Sequence, residues 1–357
     1  MNHYDITIIG AGPAGSTLAR ILGKKYKVLL VDKRPLDKEP SKLIKNATLL
    51  APDAQNSLLS FGLTIPQEVL LLPEMFFVKS INFDNNMERT YKRHGVKVDR
   101  ERYDRWLVSL CIDSCEQLFS TYYQGAKKVE EKYVLKLLHN DEEIEISTDI
   151  VVGADGANSM VKKEFIGELE HEPKKYISIQ EWFPHNKNVS HFVAIFDKEI
   201  SDYFSWIIPK DGGIILGSVI EEGKPVERYH NLQKEKLKAY GYDLSEPLRQ
   251  EDAFLRRPMS SKDICLGKGS VALIGEASGL ISPTSAEGVS YAMLSGSKLA
   301  KAILEDKENF LELYINNTQY LKKNIDSKMK KYPLIFNPTL RKIVFKLGIG
   351  AVKESKI

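Results

Sequence analysis

Gly10, Gly12 and Gly15 are spaced as G-x-G-x-x-G in the stretch "DITIIGAGPAGSTLARILGKKYKVLLVDK", and Asp32 follows 22 positions after Gly10. Residues of these types at this spacing can hold a nucleotide diphosphate. The first glycine permits a tight turn, the second lets the backbone approach a pyrophosphate, and the third lets a helix pack closely on a strand. Pro13 and Ala14 lie between them, and a helix starting here would turn its positive end, roughly half a charge, toward the phosphates. The Asp32 carboxylate would accept the hydroxyl hydrogen bonds of an adenosine ribose. Lys33 and Arg34 would suit a 2′-phosphate, but Asp32 would repel one, so the loop is predicted to take an adenosine without it.

The elements needed to position these residues are legible. Ile6 to Ile9 form a β-branched strand, residues 14–22 have helical periodicity, and Val28 to Val31 form a second strand ending at Asp32. The glycine spacing has meaning in this setting. Two later segments repeat the form. Ile150 to Val152 lead into Gly153-Ala154-Asp155-Gly156. The run "SVALI" leads into "GEASGLISPTSAEGVSYAMLSG", which carries Gly275, Glu276, Pro283, Gly288 and Val289 ahead of a helix predicted over Val289 to Leu304. A nicotinamide dehydrogenase needs one glycine-rich turn, whereas an extended FAD must be held at its adenosine, pyrophosphate, ribityl and ring ends. Three strand ends in this order predict FAD. The loops have no neighbouring cysteine or histidine, so the FAD is expected to be non-covalent. No second G-x-G-x-x-G follows the first loop, so electrons are expected from a transiently bound NAD(P)H or from a small redox protein.

The 357 residues are 43% hydrophobic, enough for a sizeable core. Cys111, Cys115 and Cys265 form no C-x-x-C pair and join no histidine cluster, so no metal is expected and the thiols read as reduced structural residues. Cys111 and Cys115 fall at i, i+4 in a predicted helix. The chain begins with no basic leader and has no window of ~18 apolar residues, which predicts a cytoplasmic protein with no spanning helix. Residues 61–95 and 166–265 contain strands such as "FVAIF" and "GGIILGSVI" with short connections, which predicts an antiparallel substrate domain. The FAD-binding domain is then discontinuous, over 1–60, 96–165 and 266–306. Residues 307–357 form a basic helical segment, and from 321 onward it carries ten Lys/Arg against Asp326 and Glu354. Pro333 and Pro338 are expected to break it into two short helices. It reads either as a solvated cap on the substrate domain or as a peripheral contact with an anionic membrane. It has no nucleic-acid recognition module, and the sequence leaves the oligomeric state open.

Over nearly its whole length the chain resembles the FAD-dependent hydroxylase superfamily, and within it the geranylgeranyl reductase family, nearest to its CbrA-type bacterial branch. The resemblance runs through G-x-G-x-x-G, "LLAPDAQ", "VDRERYDRWL", "VGADGANSMV", "FSWIIPKDGG" and "IGEASGLISPTSAEG". It implies an α/β fold, with a Rossmann-type FAD-binding domain of glutathione reductase type, an antiparallel substrate sheet and a C-terminal helical segment. It also implies that Arg100 reaches the ribityl or pyrophosphate region, that Asp155 and Gly156 support the bound cofactor, and that Glu276 accepts from the ribityl chain. Pro283 would lie against the flavin ring, with the N–H groups of Gly288 and Val289 at its pyrimidine edge.

Three departures stand out. Glu276 replaces the usual Asp, Ala286 stands where Gly is common, and the family's Pro-Cys-Gly-Gly element is replaced by residues 43–48. Lys42 and Lys45 are the candidates to replace the missing thiol, against the commoner reading of such loop lysines as solvated. Phe204 and Trp206, two apart on one predicted strand, either wall an apolar pocket or pack the sheet. The resulting expectation is an FAD-dependent reductase acting on an apolar, isoprenoid-like substrate by hydride transfer from flavin N5. The alternative is a flavin-dependent monooxygenase, a hydroxylase ahead of a halogenase. A non-catalytic flavin-binding protein is the third reading.

Overall fold

Val28, Leu29, Leu30 and Val31 are all buried, as a parallel strand covered on both faces requires. The computed structural model describes residues 1–39, 47–111, 115–184, 189–210 and 213–347. In chain order the elements are β1 (Asn2–Ile9), α1 (Pro13–Leu22), β2 (Val28–Val31), β3 (Ala47–Leu50), α2 (Pro52–Ser60), β4 (Leu70–Asn82), β5 (Met87–Asp99) and α3 (Arg100–Ser109). Next come β6 (Glu116–Leu118), β7 (Thr121–Val129), β8 (Lys132–His139), β9 (Glu142–Gly153), α4 (Met160–Phe165), β10 (Lys174–Phe183) and β11 (Phe192–Phe196). β12 (Ser205–Lys210), β13 (Gly213–Glu221), α5 (Val226–Lys238), β14 (Arg249–Arg257), β15 (Gly267–Lys268) and β16 (Val271–Leu273) follow. The helices α6 (Val289–Glu305), α7 (Phe310–Asn317), α8 (Gln319–Phe336) and α9 (Pro338–Leu347) complete the described chain.

The first sheet has the order β15-β16-β9-β1-β2-β6, with β7 and β8 paired onto β9. Its centre is parallel, and Ile9, Gly153 and Leu273 lie side by side in register. The loops after β1, β9 and β16 therefore leave from one edge, the carboxyl end of the sheet, where ligands bind in open α/β folds. Ile6, Ile8, Val28 and Leu30 face α1 and α6 through Leu18, Leu22, Leu299 and Ile303. Leu29, Val31 and Val151 face the other way, onto Leu135 and Leu137 of β8. This double cover explains why the sequence shows short unbroken apolar runs here.

The second sheet runs β14-β10-β13-β12-β11-β4-β5-β3. It is antiparallel except at one seam, where β11 lies parallel to β4. A wholly antiparallel sheet is thus corrected: between these two strands the chain passes through the first sheet, so no hairpin dictates their relative sense. One strand pairing crosses the expected domain limits. β3 and the end of β5, expected in the FAD-binding domain, pair with each other in the second sheet from Ala47↔Asp99 to Leu50↔Val96.

The C-terminal segment is no separate appendage. Phe310, Tyr314, Leu321 and Ile325 are buried in the core under the first sheet. α8 continues through Pro333 rather than breaking there, because the missing N–H falls in the last turn at an exposed position. The break falls at Asn337, and Pro338 then opens α9 at its first position. α3 stops at Ser109, capped by Leu110, so Cys111 and Cys115 lie beyond the helix in which they were expected. No helix among the described residues is long and apolar enough to cross a membrane.

Candidate cofactor site

Gly10 ends β1 at φ 109°, and a Cβ there would stand 2.3 Å from the Ala154 carbonyl oxygen of the neighbouring loop. Only glycine fits that left-handed crossing. Gly15 is equally hemmed in, with a Cβ placed 1.9 Å from Gly10 O. Gly12 is the opposite case, for nothing lies within 4 Å of where its Cβ would point, and the same holds at Gly156. These two glycines leave open space at the sheet edge. The loop after β16 is drawn in by Gly275 N–H donating to Ser295 Oγ at 2.9 Å, and Gly275 lies against Ala14 of α1.

The acidic residues at this edge divide into satisfied and unsatisfied ones. Asp155 Oδ2 accepts from Met160 N at 2.7 Å and Val161 N at 3.3 Å, whereas its buried Oδ1 has no partner. Burial pushes the Asp155 carboxyl up despite those N–H donors. The Glu276 carboxylate has no hydrogen-bond partner among the described residues. Burial pushes its carboxyl up, Arg100 opposes the shift and Glu287 adds to it. Its Oε1 lies 3.1 Å from where a Gly288 Cβ would stand. An open glycine cradle beside two acceptors that lack donors fits a ligand with a diphosphate and hydroxyl donors, as FAD has.

The Asp32 carboxylate is engaged within the chain. Its Oδ1 accepts from Arg34 N at 2.8 Å and Arg34 Nε at 3.0 Å. Its Oδ2 accepts from Ala11 N at 2.7 Å and Arg34 Nη2 at 2.9 Å. A carboxylate has about four acceptor sites, so the carboxylate expected to hold a ribose is already saturated, because Arg34 folds back onto it from two residues away. Burial would raise the Asp32 carboxyl, but Arg34 and Ala11 hold it below its ordinary value. Arg34 continues to Asp104 at 2.6 Å, and Asp104 accepts Arg100 Nε at 2.9 Å. Asp32, Arg34, Asp104 and Arg100 thus form one chain of charge-assisted bonds from the first loop to the residue beside Glu276. Lys33 is exposed.

Phe204 lies just before β12 rather than within it, yet its ring meets that of Trp206 at 5.7 Å between centroids. Trp206 lies over Gly217, where a Cβ would stand 2.2 Å from its ring. Both rings join Tyr203, Tyr332 and Phe336 in an aromatic cluster against Ala286. Behind the loop, Tyr203 Oη accepts from Ala286 N at 2.8 Å, and Arg257 Nε donates to Pro283 O at 2.9 Å. Ala286 itself has φ 52°, a left-handed conformation that glycine adopts at less cost. Gly288 caps α6 with no side-chain bond, leaving the positive end of a 17-residue helix at this loop. Lys42 and Lys45 lie outside the described residues.

The chain matches no protein-family model. It is 34% identical to protein CbrA of Escherichia coli O9:H4 (strain HS) over 356 residues, covering 100% of this chain and 96% of that protein. The chain belongs to the CbrA family. Among solved structures, this CbrA-family chain has the fold of a geranylgeranyl bacteriochlorophyll reductase-like protein from Thermoplasma acidophilum, with TM-score 0.82, 17% identity, and coverage of 100% and 94%. It also shares the fold of PqsL, a probable FAD-dependent monooxygenase from Pseudomonas aeruginosa, with TM-score 0.66, 18% identity, and coverage of 97% and 100%.

Of the residues that shape the site in this CbrA-family chain, Tyr203 and Arg257 went unassigned at the sequence level, and Arg34, considered there only for a 2′-phosphate, pairs with Asp32 and Asp104. Asp104 alone had a local signal, its i, i+4 spacing from Arg100 on a helix. One consequence is measurable at Glu276. Its open carboxylate is expected to accept a charge-assisted hydrogen bond from the cofactor, so Glu276→Ala should weaken FAD binding by about 1.5–3 kcal/mol. Glu276→Asp should bind nearly as well as wild type. Isothermal titration of the apoprotein reads both, and an unchanged alanine variant would remove Glu276 from the site.

Proposed function

We propose that the chain is an FAD-dependent oxidoreductase that reduces a hydrophobic, isoprenoid-like substrate, with non-covalent FAD held across the ends of β1, β9 and β16. The observation that carries this reading is the set of unfilled contacts there: the open space at Gly12 and Gly156 beside the donor-less Asp155 Oδ1 and Glu276. Bound FAD would supply a hydride at N5. The backbone around Gly12 would approach the diphosphate, Arg100 would neutralise it or reach the ribityl chain, and Glu276 would accept a ribityl hydroxyl. The N–H groups of Gly288 and Val289 would stabilise negative charge at the pyrimidine edge. Phe204, Trp206 and Tyr203 would exclude water behind the reacting face. NAD(P)H or a small redox protein would deliver the electrons.

The fold shared with PqsL supports a second reading, oxygen chemistry on the same scaffold, with a hydroxylase ahead of a halogenase. Single-turnover experiments separate the two. Dithionite-reduced protein mixed anaerobically with an isoprenoid alkene should be reoxidised with formation of the saturated product. Reoxidation only by oxygen, with an oxygen atom found in the product, would favour the monooxygenase. Protein that keeps its FAD but turns over neither way would be a non-catalytic flavoprotein, and protein purified without FAD would end all three readings.

An apolar substrate of this kind gives weight to a peripheral membrane contact. Leu334, Ile343 and Leu347 are exposed on α8 and α9, beside exposed Lys330, Lys331, Lys342 and Lys346. Each such lysine contributes about 1 kcal/mol at an anionic surface. Lys342→Glu with Lys346→Glu is expected to reduce cosedimentation with anionic vesicles at low salt by about tenfold or more, and salt should do the same to the wild type. Equal binding to neutral vesicles would sink the contact. Truncation is the wrong test here, because α7 and α8 are part of the core.

A further inference from the structure

The second sheet carries a polar cleft on the face turned away from the loop that holds Pro283. Tyr176 of β10 belongs to the aromatic cluster around Tyr203 and Phe336. Ile179 and Glu181 lie an odd number of positions further along the same strand, so they project from the opposite face. There they line a cleft of about 150 Å³ with Glu227, His230 and Asn231 of α5 and Gln250 of β14. Gln250 stands opposite Glu181 in the strand register. Glu227, Asn231 and Gln250 are exposed, whereas Glu181 is 5% and His230 1% exposed.

Only half of the buried carboxylate is used. Glu181 Oε2 accepts from Lys234 Nζ at 2.8 Å and lies 3.0 Å from His230 Nε2. Burial would raise the Glu181 carboxyl, but His230 and Lys234 hold it below its ordinary value. The group is therefore ionised and can only accept, so His230 Nε2 carries the hydrogen. His230 Nδ1 lies 2.9 Å from Ser218 Oγ, and Ser218 is fully buried. That serine is out of reach of a substrate, so it orients the imidazole and is no nucleophile. Glu181 Oε1 has no hydrogen-bond partner among the described residues, yet it is not sealed from solvent. In a side chain this buried, the open direction is the cleft. Glu227 pairs with no cation among the described residues. Lys234 balances one of the two carboxylates, and with a neutral His230 the cleft keeps one negative charge in excess.

We propose that this cleft binds the primary ammonium group of a small amine, with Glu181 Oε1 accepting one of its N–H bonds and Glu227 at the rim supplying the second negative charge. The space holds several water molecules, and so a short alkyl amine. No group of three His, Cys, Asp or Glu side chains among the described residues is placed to hold a metal ion, so the cation that fits is one that brings its own donors. The site lies on the other face of the sheet from the aromatic cluster and is independent of the oxidoreductase reading. The test titrates propylammonium, propan-1-ol and tetramethylammonium into the purified full chain by ligand-observed NMR. Propylammonium should bind about tenfold or more tighter than propan-1-ol, which lacks the charge, and than tetramethylammonium, which lacks the N–H donors. Glu181→Gln should remove most of that difference, because the amide keeps the shape and drops the charge.

Equal binding of the amine and the alcohol overturns the site, as does tetramethylammonium binding as tightly as propylammonium. So does a preference that survives in Glu181→Gln. Should that variant fail to fold, because His230 and Lys234 lose their acceptor, Glu227→Arg decides. It reverses a charge at an exposed position in the first turn of α5 and should cut the preference for propylammonium by about threefold or more. An unchanged preference in Glu227→Arg overturns the site as well.

Discussion

Gly12→Val is expected to give a folded protein that purifies without FAD. Gly12 has φ −73°, which any residue adopts, and nothing lies within 4 Å of its Cβ position. The chain therefore tolerates the side chain. The space that the valine fills is the space a pyrophosphate needs, so FAD affinity should fall at least about a hundredfold, or about 2.7 kcal/mol. Gly15→Val provides the contrast. Its Cβ would meet Gly10 O at 1.9 Å, and that variant should fail as a fold. Far-UV circular dichroism, urea midpoints and bound-flavin absorbance distinguish the two outcomes. A Gly12→Val protein carrying one FAD per chain would refute the assignment of the first loop.

Arg257→Met should cost about 3–5 kcal/mol of folding stability, judged from the charge-assisted bonds and desolvated cation–π contacts that it removes. Arg257 is 0% exposed. Its Nε donates to Pro283 O at 2.9 Å and its Nη1 to Tyr176 Oη at 3.2 Å. Its guanidinium carbon lies 4.2 Å from the ring centre of Tyr203, 4.3 Å from that of Tyr332 and 4.7 Å from that of Phe336. Methionine fills much of the volume but leaves the Pro283 carbonyl without its donor. Arg257→Lys should rescue little, since the site uses a planar fork stacked between rings. Urea unfolding reads the loss, and a change below about 1 kcal/mol would show that the cage is incidental. Because the same guanidinium holds the loop carrying Pro283, the visible circular dichroism of bound flavin should change in both variants.

Local chemistry made the nucleotide loops readable. Gly10, Gly12 and Gly15 lie within six residues of one another, Val28 to Val31 is a run buried on both faces, and Glu276 directly follows Gly275, two residues beyond β16. Turns, short strands and helix starts are set by neighbours in the chain, so their signals survive without the fold. The α6 helix, predicted over Val289 to Leu304, forms from Val289 to Glu305 for the same reason.

What the tertiary structure alone decided involves groups far apart in the chain. Arg257 is caged by Tyr203 before β12 and by Tyr332 and Phe336 of α8, and no local pattern joins those segments. The parallel seam between β4 and β11 joins strands between which the chain runs through β6 to β9 of the first sheet. Arg34 stands two residues from Asp32, yet whether it neutralises that acid or faces solvent turns on Asp104, 70 positions away, which holds its other side. The sequence by itself determined the glycine turns and strand ends of the proposed dinucleotide site. The fold determined which charges meet there, because pairing across such separations is settled by packing and burial rather than by the order of residues.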